Sequence, residues 1–271
     1  NFFYAYIFKK LNKINTIYFY TLDYSFKRFP NPILNKIYNY LDHFAINHCD
    51  FSISACQKIC DVRTEQGLTN SKNLYLPNSP ILEGVRIKKL SEIKREELVM
   101  VFSDPTQVDF QIVFEAVKKL SKIHKGISLK LIGRGNFKTK LIKSAKKYHI
   151  LNRIKFLDTP THKDTLEEIS TSAIGLECNN QTVSWNEFRE PLKIREYFAL
   201  GLPVISKKGH ALIDEITNEK IGFIIENSSD LAKYAKYLFN NPKKRLIYRN
   251  RVLKHSRKFD KEKNIRKIFG W

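Results

Sequence analysis

Cysteine is scarce in this sequence. Four cysteines, Cys49, Cys56, Cys60 and Cys178, are too few and too irregularly spaced for the disulfide framework of a small secreted domain. Cys56 and Cys60 would share one helical face, but a C-x-x-x-C pair without nearby His or Cys partners is weak evidence for a metal site. We therefore expect buried, reduced thiols, as in a cytoplasmic protein.

Long apolar runs are also missing, and none approaches the length needed to cross a bilayer. The apolar stretch at residues 1–8, NFFYAYIF, is too short for a spanning helix and lacks the charged start and cleavage site of a signal peptide. No internal repeat of fixed short period is visible. Because the sequence begins without Met, we expect that the true start lies upstream.

Acidic residues are outnumbered by basic ones, 27 against 48, which gives a formal net charge of +21. Such a balance suits a nucleic-acid binder, a protein on an anionic membrane, or a lysine-rich composition with no partner behind it. The charge is spread along the chain, and no recognition helix, zinc-ligand spacing or aromatic sheet motif accompanies it. This pattern favours the second and third interpretations.

Strand and helix patterns alternate along the chain, which predicts an α/β fold with doubly wound parallel sheets. The first series has predicted strands at 16–21, 50–55 and 73–76 and helices at 31–48 and 56–67. The apolar side of the first of these helices is predicted to carry Ile33, Leu34, Ile37, Tyr38, Leu41, Phe44 and Ala45. The charged segment 88–97 indicates a linker, and a second series follows, with predicted strands at 98–102, 127–132, 153–157 and 173–178.

The segment 190–206, EPLKIREYFALGLPVIS, predicts a helix, a tight turn and a strand. Pro191 suits the first helical turn, Gly201 suits the left-handed residue just past the helix end, and Pro203 prevents continuation. A predicted strand at 173–178 and a polar loop at 179–189 come before it. The free N–H groups and dipole of the helix start would then form an anion site at the carboxyl end of a strand.

The stretch PLKIREYFALGLPVI resembles the signature helix of the nucleotide-sugar half of family-four glycosyltransferases, retaining enzymes with two facing Rossmann-like domains, the GT-B fold. LDYSFKRFPNPILNKIYNYLDHFAINHCDFSISAC is similar to the second half of the acceptor-side domain in that family. The glycine-rich first strand-turn unit is absent, so the resemblance implies an incomplete N-terminal domain. We expect a partial acceptor-side domain at 1–88, a nucleotide-sugar domain at 89–258, and a tail or helix at 259–271.

The resemblance implies a donor site around the signature helix. In the family, the glutamate at the position of Glu196 holds the ribose; a solvated glutamate paired with Lys193 is the alternative. Glu190, Pro191 and Leu192 form the entrance to the helix, where Glu190 could equally be an ordinary cap.

Two strand-end turns complete the implied donor site. Gly133 and Gly135 would let the backbone approach a pyrophosphate, although a simple tight turn explains them as well. The other turn, at the position of the base-binding turn in the family, contains Thr159, Pro160 and Thr161.

The chain departs from the family in its phosphate loop. The family carries an Arg and a Lys there, whereas residues 103–109, SDPTQVD, contain neither and add two carboxylates. The first of the family's paired glutamates is replaced by Phe188, with Glu187 or Glu190 as the alternative substitutes. We expect Lys193 and Arg134 to act as substitute catalytic cations, since one lies in the first turn of the signature helix and the other in the glycine turn.

The resemblance implies retaining transfer of a sugar from a nucleotide-sugar substrate to a saccharide or lipid-linked acceptor, with no cofactor and no bound metal. No D-x-D metal motif occurs in a suitable loop. Asp23 and Arg28 are implied on the acceptor side, with loop capping as the alternative for Asp23. We expect a cytoplasmic protein with peripheral contact to the anionic inner face of the membrane; a non-catalytic relative with this fold and a nucleic-acid-binding protein are the alternatives.

Overall fold

The computed structural model describes residues 2–133, 137–158, 161–180 and 186–270. The chain forms two compact units. The first comprises Asn1–Ser79, Gln181–Pro191 and Lys261–Trp271, and the second comprises Pro80–Asn180 and Leu192–Asp260. The second unit thus begins at Pro80, ahead of the predicted start at residue 89, and the C-terminal segment groups with the first unit.

The first unit is built on a three-stranded parallel sheet in the order β1-β2-β3. Its elements are α1 (Phe2–Lys10), β1 (Tyr18–Thr21), α2 (Pro32–His48), β2 (Phe51–Ser54), α3 (Gln57–Glu65) and β3 (Asn73–Tyr75). The predicted β-α-β-α-β series is therefore confirmed. The side chain of Asn31 caps α2 by accepting from the backbone N–H groups of Ile33 and Leu34.

Helix α1 was not predicted, because its sequence is almost uniformly apolar and aromatic and shows little helical periodicity. It packs through its rings on α2 and β1. Phe3 stacks on Phe44 with ring centroids 4.9 Å apart, and Phe2 meets Phe19 edge-on at 5.6 Å. Aromatic pairs of this kind add to the stabilisation from burial.

The predicted apolar side of α2 is only partly correct: Ala45 is buried and Tyr38 and Phe44 are partly buried, but its other members are exposed. Ile33, Ile37 and Leu41 are exposed, and the residues that α2 buries are Asp42, Ala45 and Ile46. Asp42 is buried because it holds Arg63 of α3, whose side chain is 0% exposed, through hydrogen bonds of 2.5 and 2.9 Å. A polar anchor therefore sets the orientation of this helix.

The second unit contains a six-stranded sheet in which every neighbouring pair of strands is parallel. Its strands are β4 (Lys94–Val101), β5 (Ser128–Ile132), β6 (Ile154–Leu157), β7 (Ser172–Glu177), β8 (Val204–Lys207) and β9 (Gly222–Ile225). Its helices are α4 (Phe110–Ser121), α5 (Lys138–Lys147), α6 (His162–Ser170), α7 (Leu192–Ala199), α8 (Ile213–Asn218), α9 (Ser228–Asn240) and α10 (Pro242–Ser256). A last helix, α11 (Lys261–Phe269), belongs to the first unit.

The strand order in the second unit is β6-β5-β4-β7-β8-β9. The chain winds outward from β4 in one direction and from β7 in the other, which is the doubly wound arrangement predicted. Apolar clusters cover the sheet, one including Leu98, Leu129 and Ile174 and another including Val99, Tyr197 and Val204. The topological switch point lies between β4 and β7, where α/β sheets bind ligands.

The predicted linker at 88–97 is partly wrong, because β4 begins at Lys94 and includes the charged residues before Leu98. Glu97 is 0% exposed in this strand and pairs with Lys130 of β5, with 3.0 Å between nitrogen and oxygen. The Lys130 ammonium also bonds the Thr171 hydroxyl at 2.7 Å. Because partners on other strands and loops satisfy these charges, the charged segment can form a buried strand.

All four cysteines are free and buried, which confirms the prediction for the thiols. Burial raises the pKa of the Cys56 thiol to about 12, and burial also raises the pKa of Cys178 far above its ordinary value. Thiols with such pKa values are unreactive near neutrality. In the described parts of the chain, no helix combines the length and apolar character needed to cross a membrane.

Candidate nucleotide-sugar site

The switch point of the second unit is occupied by the ammonium group of Lys193. Its Nζ donates to the carbonyl oxygen of Val101, at the end of β4, at 3.0 Å. It also forms an ion pair with Glu177, at the end of β7, at 2.7 Å. Glu177 is 1% exposed and the Lys193 side chain 17% exposed, so one face of this buried pair reaches the surface. A cation therefore lies where the two halves of the sheet diverge.

Tyr197 fixes α7 against the same two strands. Its hydroxyl oxygen accepts from the backbone N–H of Val101 at 3.0 Å, and its ring lies against Gly175 of β7. A Cβ atom at Gly175 would come within 2.4 Å of that ring, so only glycine lets α7 pack this closely. The approach of helix to sheet delivers Lys193, four residues earlier on α7, to the strand ends.

Arg195 anchors the opposite side of α7. Its guanidinium, 1% exposed, forms a bidentate pair with Glu215 of α8, and its central carbon lies 3.6 Å from the ring centroid of Phe259. His255 of α10 bonds the same carboxylate at 2.6 Å. Although burial by itself would raise the pKa of Glu215, the contacts with His255 and Arg195 hold it below its usual value. Helix α7 is thus held on both sides.

Glu196, the predicted ribose-binding residue, is 5% exposed on α7 and pairs with a histidine. Its Oε1 lies 2.7 Å from Nε2 of His162, the first residue of α6. The other ring nitrogen, Nδ1, lies 2.8 Å from Oε1 of Glu83. The alternative of a solvated Glu196 paired with Lys193 is contradicted, because Glu196 is buried and Lys193 pairs with Glu177.

Both carboxylates of loop 103–109 have partners within the second unit. Asp104 accepts from the backbone and hydroxyl of Thr106, at 2.9 and 2.6 Å. Asp109 caps α4 and forms an ion pair at 2.7 Å with Lys207, the last residue of β8. The loop has no cation of its own, but two lysines from later elements lie at its ends: Lys193 bonds Val101, just before the loop, and Lys207 bonds Asp109, its last residue.

Ser206 and His210 form a buried contact near the end of β8, with 2.6 Å between Oγ and Nε2. Nδ1 of His210 accepts from the backbone N–H of Leu212 at 3.1 Å, so it carries no proton. The proton of the neutral ring is then on Nε2, which donates to the serine. This histidine does not take a proton from Ser206, so the pair lacks the arrangement of a nucleophile and its base.

The predicted turn residues are only partly described. A Cβ at Gly133 would lie 2.6 Å from the Phe102 ring, so close packing on that ring explains this glycine directly. Thr161 is the N-cap of α6 and forms a capping box with Asp164. The remaining predicted turn residues, Arg134, Gly135, Thr159 and Pro160, lie outside the described part of the chain.

The helix entrance agrees with the prediction to within one residue. Helix α7 begins at Leu192, directly after Pro191, and Gly201 has the predicted positive φ of 83°. Leu192 is 43% exposed, whereas Glu190 is 4% exposed. Pro191 and Glu190 are grouped with the first unit, where the side-chain amide of Asn78 donates to the Glu190 carbonyl at 2.8 Å.

The predicted acceptor-side residues lie in the first unit, in the loop after β1. Asp23 and Arg28 are both exposed there. Arg28 lies near enough to Tyr38 to lower the pKa of its phenol, but burial and Asp42 outweigh this effect and leave that pKa above its ordinary value.

Sequence reasoning missed four residues of the arrangement: Glu83, His162, Glu177 and Lys207. Glu177 carried a signal, because it is a carboxylate at the end of an otherwise apolar strand. Lys207 carried a similar one just after Val204–Ser206. Glu83 and His162 are 79 residues apart, and no local pattern joins them. Within the described residues, no group of three or more His, Cys, Asp or Glu side chains could hold a metal ion.

Solved structures of similar fold were found with sequence identities well below 25%, so they show the fold alone. HepE of Anabaena in complex with UDP has a TM-score of 0.77 at 14% identity, over 98% of this chain and 74% of HepE. WaaG, described as a glycosyltransferase involved in lipopolysaccharide biosynthesis, has a TM-score of 0.64 at 14% identity, over 99% of this chain and 82% of WaaG. TarM has a TM-score of 0.68 at 16% identity, over 93% of this chain but only 49% of TarM, so the chain spans about half the length of that relative.

The family comparison covers the second unit almost completely. No curated protein sequence matches the chain at a significant level. A family model does, over residues 85–255, well over half of the chain and the whole of the region from β4 to α10. The predicted family and the predicted α/β fold class are therefore confirmed, and the chain belongs to the glycosyl transferases group 1.

Proposed function

We propose that this protein is a glycosyltransferase that binds a nucleotide-sugar donor at the carboxyl edge of β4 and β7. The observation that carries the proposal is the position of Lys193, whose ammonium group joins the ends of the two strands at the switch point. Ligands of doubly wound sheets bind at this place, and a diphosphate needs a cation there. Family membership and the UDP held by HepE, a protein of similar fold, favour a uridine nucleotide as the donor.

Lys193 is suited to act on the phosphates although it is already paired. Its ammonium has three N–H donors, and the contacts with Val101 and Glu177 use two of them, so the third can be directed to a phosphate oxygen. The start of α7 contributes the dipole of its free N–H groups beside it. Together they would stabilise the negative charge that develops on the nucleoside diphosphate as it leaves.

Retention of configuration and transfer without a metal or a cofactor are further parts of the proposal. Both are supported by the resemblance of the signature helix to the family. Lys193 and Arg134 are proposed to take the place of a metal by stabilising the charge of the leaving group. The acceptor is proposed to be a saccharide or a lipid-linked saccharide, and Asp23 and Arg28 are candidates to contact it. We propose a cytoplasmic location with peripheral attachment to anionic membrane, supported by the net charge of +21.

A second function, a non-catalytic relative that binds a sugar nucleotide or a partner, is favoured by one observation. Both lysines at the phosphate position are paired with carboxylates, Lys193 with Glu177 and Lys207 with Asp109. This leaves little net positive charge for a diphosphate. Release of UDP from a UDP-sugar in the presence of acceptor, even if slow, would rule this alternative out.

The donor site is tested by Glu196→Ala with calorimetry of UDP binding. We expect the binding free energy to weaken by about 2 to 4 kcal/mol, because the ribose loses two hydrogen bonds to a carboxylate. The matched control is Glu226→Ala, since the Glu226 side chain pairs with Lys208 at the surface, where both side chains are more than half exposed, and we expect it to leave UDP affinity unchanged. Equal UDP affinity in the wild type and Glu196→Ala would refute the assignment.

A further inference from the structure

The imidazole of His162 lies between two carboxylates from segments that are distant in sequence. Nε2 lies 2.7 Å from Oε1 of Glu196, and Nδ1 lies 2.8 Å from Oε1 of Glu83. The side chains of His162 and Glu83 are 40% and 41% exposed, whereas that of Glu196 is 7% exposed. The histidine therefore connects a carboxylate at the surface with a buried one.

The chemistry of the two contacts fixes the protonation of the ring. An ionised carboxylate only accepts hydrogen bonds, so each ring nitrogen within bonding distance of one must carry a proton. Since both nitrogens of His162 meet carboxylate oxygens, both contacts are complete only when the ring is an imidazolium. A neutral ring would place a lone pair against one of the two oxygens and lose that contact.

The backbone around Glu83 is held in an unusual conformation. Glu83 and Gly84 are the central residues of a turn closed by a hydrogen bond of 2.7 Å from the Val85 N–H to the Leu82 carbonyl. Both have positive φ, 49° and 77°, the pattern of a type I′ turn. Glycine adopts this conformation freely, whereas glutamate does so at a cost, and strained residues of this kind are concentrated at functional sites. The strained residue is the one that holds His162.

We propose that His162 is a positioning residue for the donor: as an imidazolium anchored by Glu83, it holds Oε1 of Glu196 and directs the other carboxylate oxygen to the ribose hydroxyls. This inference rests on the proposed function, since it assigns Glu196 to the ribose. When the ring loses its proton, one of its two contacts is lost, so the ring is no longer anchored between Glu83 and Glu196 and the position of the Glu196 carboxylate is no longer fixed. Donor affinity therefore falls as the pH rises.

The charges around His162 support this direction. Burial lowers its pKa, but the hydrogen bonds to Glu83 and Glu196 outweigh that effect and leave the pKa above its ordinary value. The dipole of α6 acts against protonation, because His162 is the first residue of that helix. The other charged groups on the neighbouring elements have partners of their own, Lys193 with Glu177, Arg195 with Glu215, Lys88 with Glu167 and Asp164 in the capping box, except Lys163, which is exposed.

The sign of the pH effect follows from this raised pKa. A histidine with a raised pKa is fully charged below its ordinary value and loses its charge as the pH rises through the folded-state pKa. The pair of contacts to Glu83 and Glu196 is thus complete on the acid side and broken on the alkaline side. Wild-type protein should bind UDP about tenfold more weakly above that transition than below it, the loss expected for one charge-assisted hydrogen bond.

The test is calorimetry of UDP binding from about pH 6 to about pH 9, a range that begins near the ordinary histidine pKa. We expect His162→Gln to bind UDP with an affinity that lacks the alkaline decrease. In Glu83→Gln the decrease should move to lower pH, because one of the two carboxylates that stabilise the imidazolium is gone. The control is His43→Gln, an exposed histidine of α2, which should keep the wild-type profile. Ionisation of the UDP phosphate is common to all variants and cancels in their ratio.

Two outcomes would overturn the proposal. One is a His162→Gln profile parallel to that of the wild type, and the other is a ratio of wild-type to His162→Gln affinity that rises with pH, which would mean that His162 competes with the ribose for Glu196. NMR titration of the His162 ring without UDP tests the Glu83–His162 contact alone, since Glu83→Gln must lower the pKa of the His162 ring. If Glu196→Ala weakens UDP binding while the pH profiles of His162→Gln and the wild type agree, the proposed function stands and the role of His162 falls.

Discussion

Helix α2 of the first unit and helix α7 of the second differ in how much of their surface is covered. In α7 every residue from Ile194 to Ala199 is buried, including Arg195 and Glu196. In the 17-residue α2 only Asp42, Ala45 and Ile46 are buried, while Ile33 is 67% exposed. The more charged helix is thus the more buried one.

This difference shows that the burial of a helix depends on the partners that other elements supply, and not on its own sequence pattern alone. Each buried charge of α7 has a partner supplied by another element: Glu215 of α8 for Arg195 and His162 of α6 for Glu196. Helix α2 has one such anchor, Asp42, with Arg63. The following predictions test whether the two units depend on their anchors to this extent.

The largest effect is expected for Asp42→Ala, which removes the acid that holds the fully buried Arg63. Breaking a buried ion pair by deleting one partner costs about 3 to 5 kcal/mol, because a charge is left without compensation. Chemical unfolding followed by amide hydrogen exchange should show the loss in β1 to β3 and not in β4 to β9. The control is Asp61→Ala, whose exposed carboxylate bonds Gln57. A loss below about 1 kcal/mol would show that Arg63 finds other partners.

A smaller effect is expected for Gly175→Ala in the second unit. The added methyl group would meet the Tyr197 ring at 2.4 Å, and such overpacking costs about 1 to 3 kcal/mol. Displaced α7 would also carry Lys193 away from Val101, so UDP affinity should fall as well. Gly126→Ala is the matched control, since its methyl group would meet the end of the flexible Glu96 side chain. Unchanged stability and UDP affinity in Gly175→Ala would refute the close fit of helix and sheet.

The smallest effect is expected for membrane binding, when single lysines of the two units are replaced. Lys36 lies on α2 among exposed apolar residues, and Lys243 lies on α10. If the first unit attaches to anionic membrane, Lys36→Ala should weaken binding to anionic vesicles by about 1 kcal/mol, and Lys243→Ala should leave it unchanged. Vesicle co-sedimentation at low and molar salt measures this. Equal losses for both variants would favour a lysine-rich composition with no membrane partner.

The sequence predicted the sheet and the signature helix because their signals are local. Pro191, Gly201 and Pro203 bound α7 within a few residues, and the apolar strands alternate with helices at regular spacing.

The remaining parts could not be predicted because they depend on contacts between distant segments. The pairing of Glu97 with Lys130 allows a charged segment, predicted as a linker, to form part of a strand. The pairing of Asp42 with Arg63 buries a polar residue of α2 while several apolar residues of that helix stay exposed. His162 gives no local sign that it joins Glu83 to Glu196. The apolar periodicity of a segment indicates which of its residues prefer burial. It does not indicate which partners distant segments of the chain supply to its charged residues.

The anchoring of α7 on both sides has a consequence for the thermodynamics of donor capture. Tyr197 holds the helix on the sheet, and Arg195 holds it on α8 through Glu215, whose carboxylate also bonds His255 of α10. A helix fixed in this way is already ordered before a ligand arrives, so little conformational entropy remains to be lost on binding. The free energy of the interactions that Lys193 and Glu196 make with the donor is then not offset by the cost of ordering the helix, which is the advantage of a preorganised site.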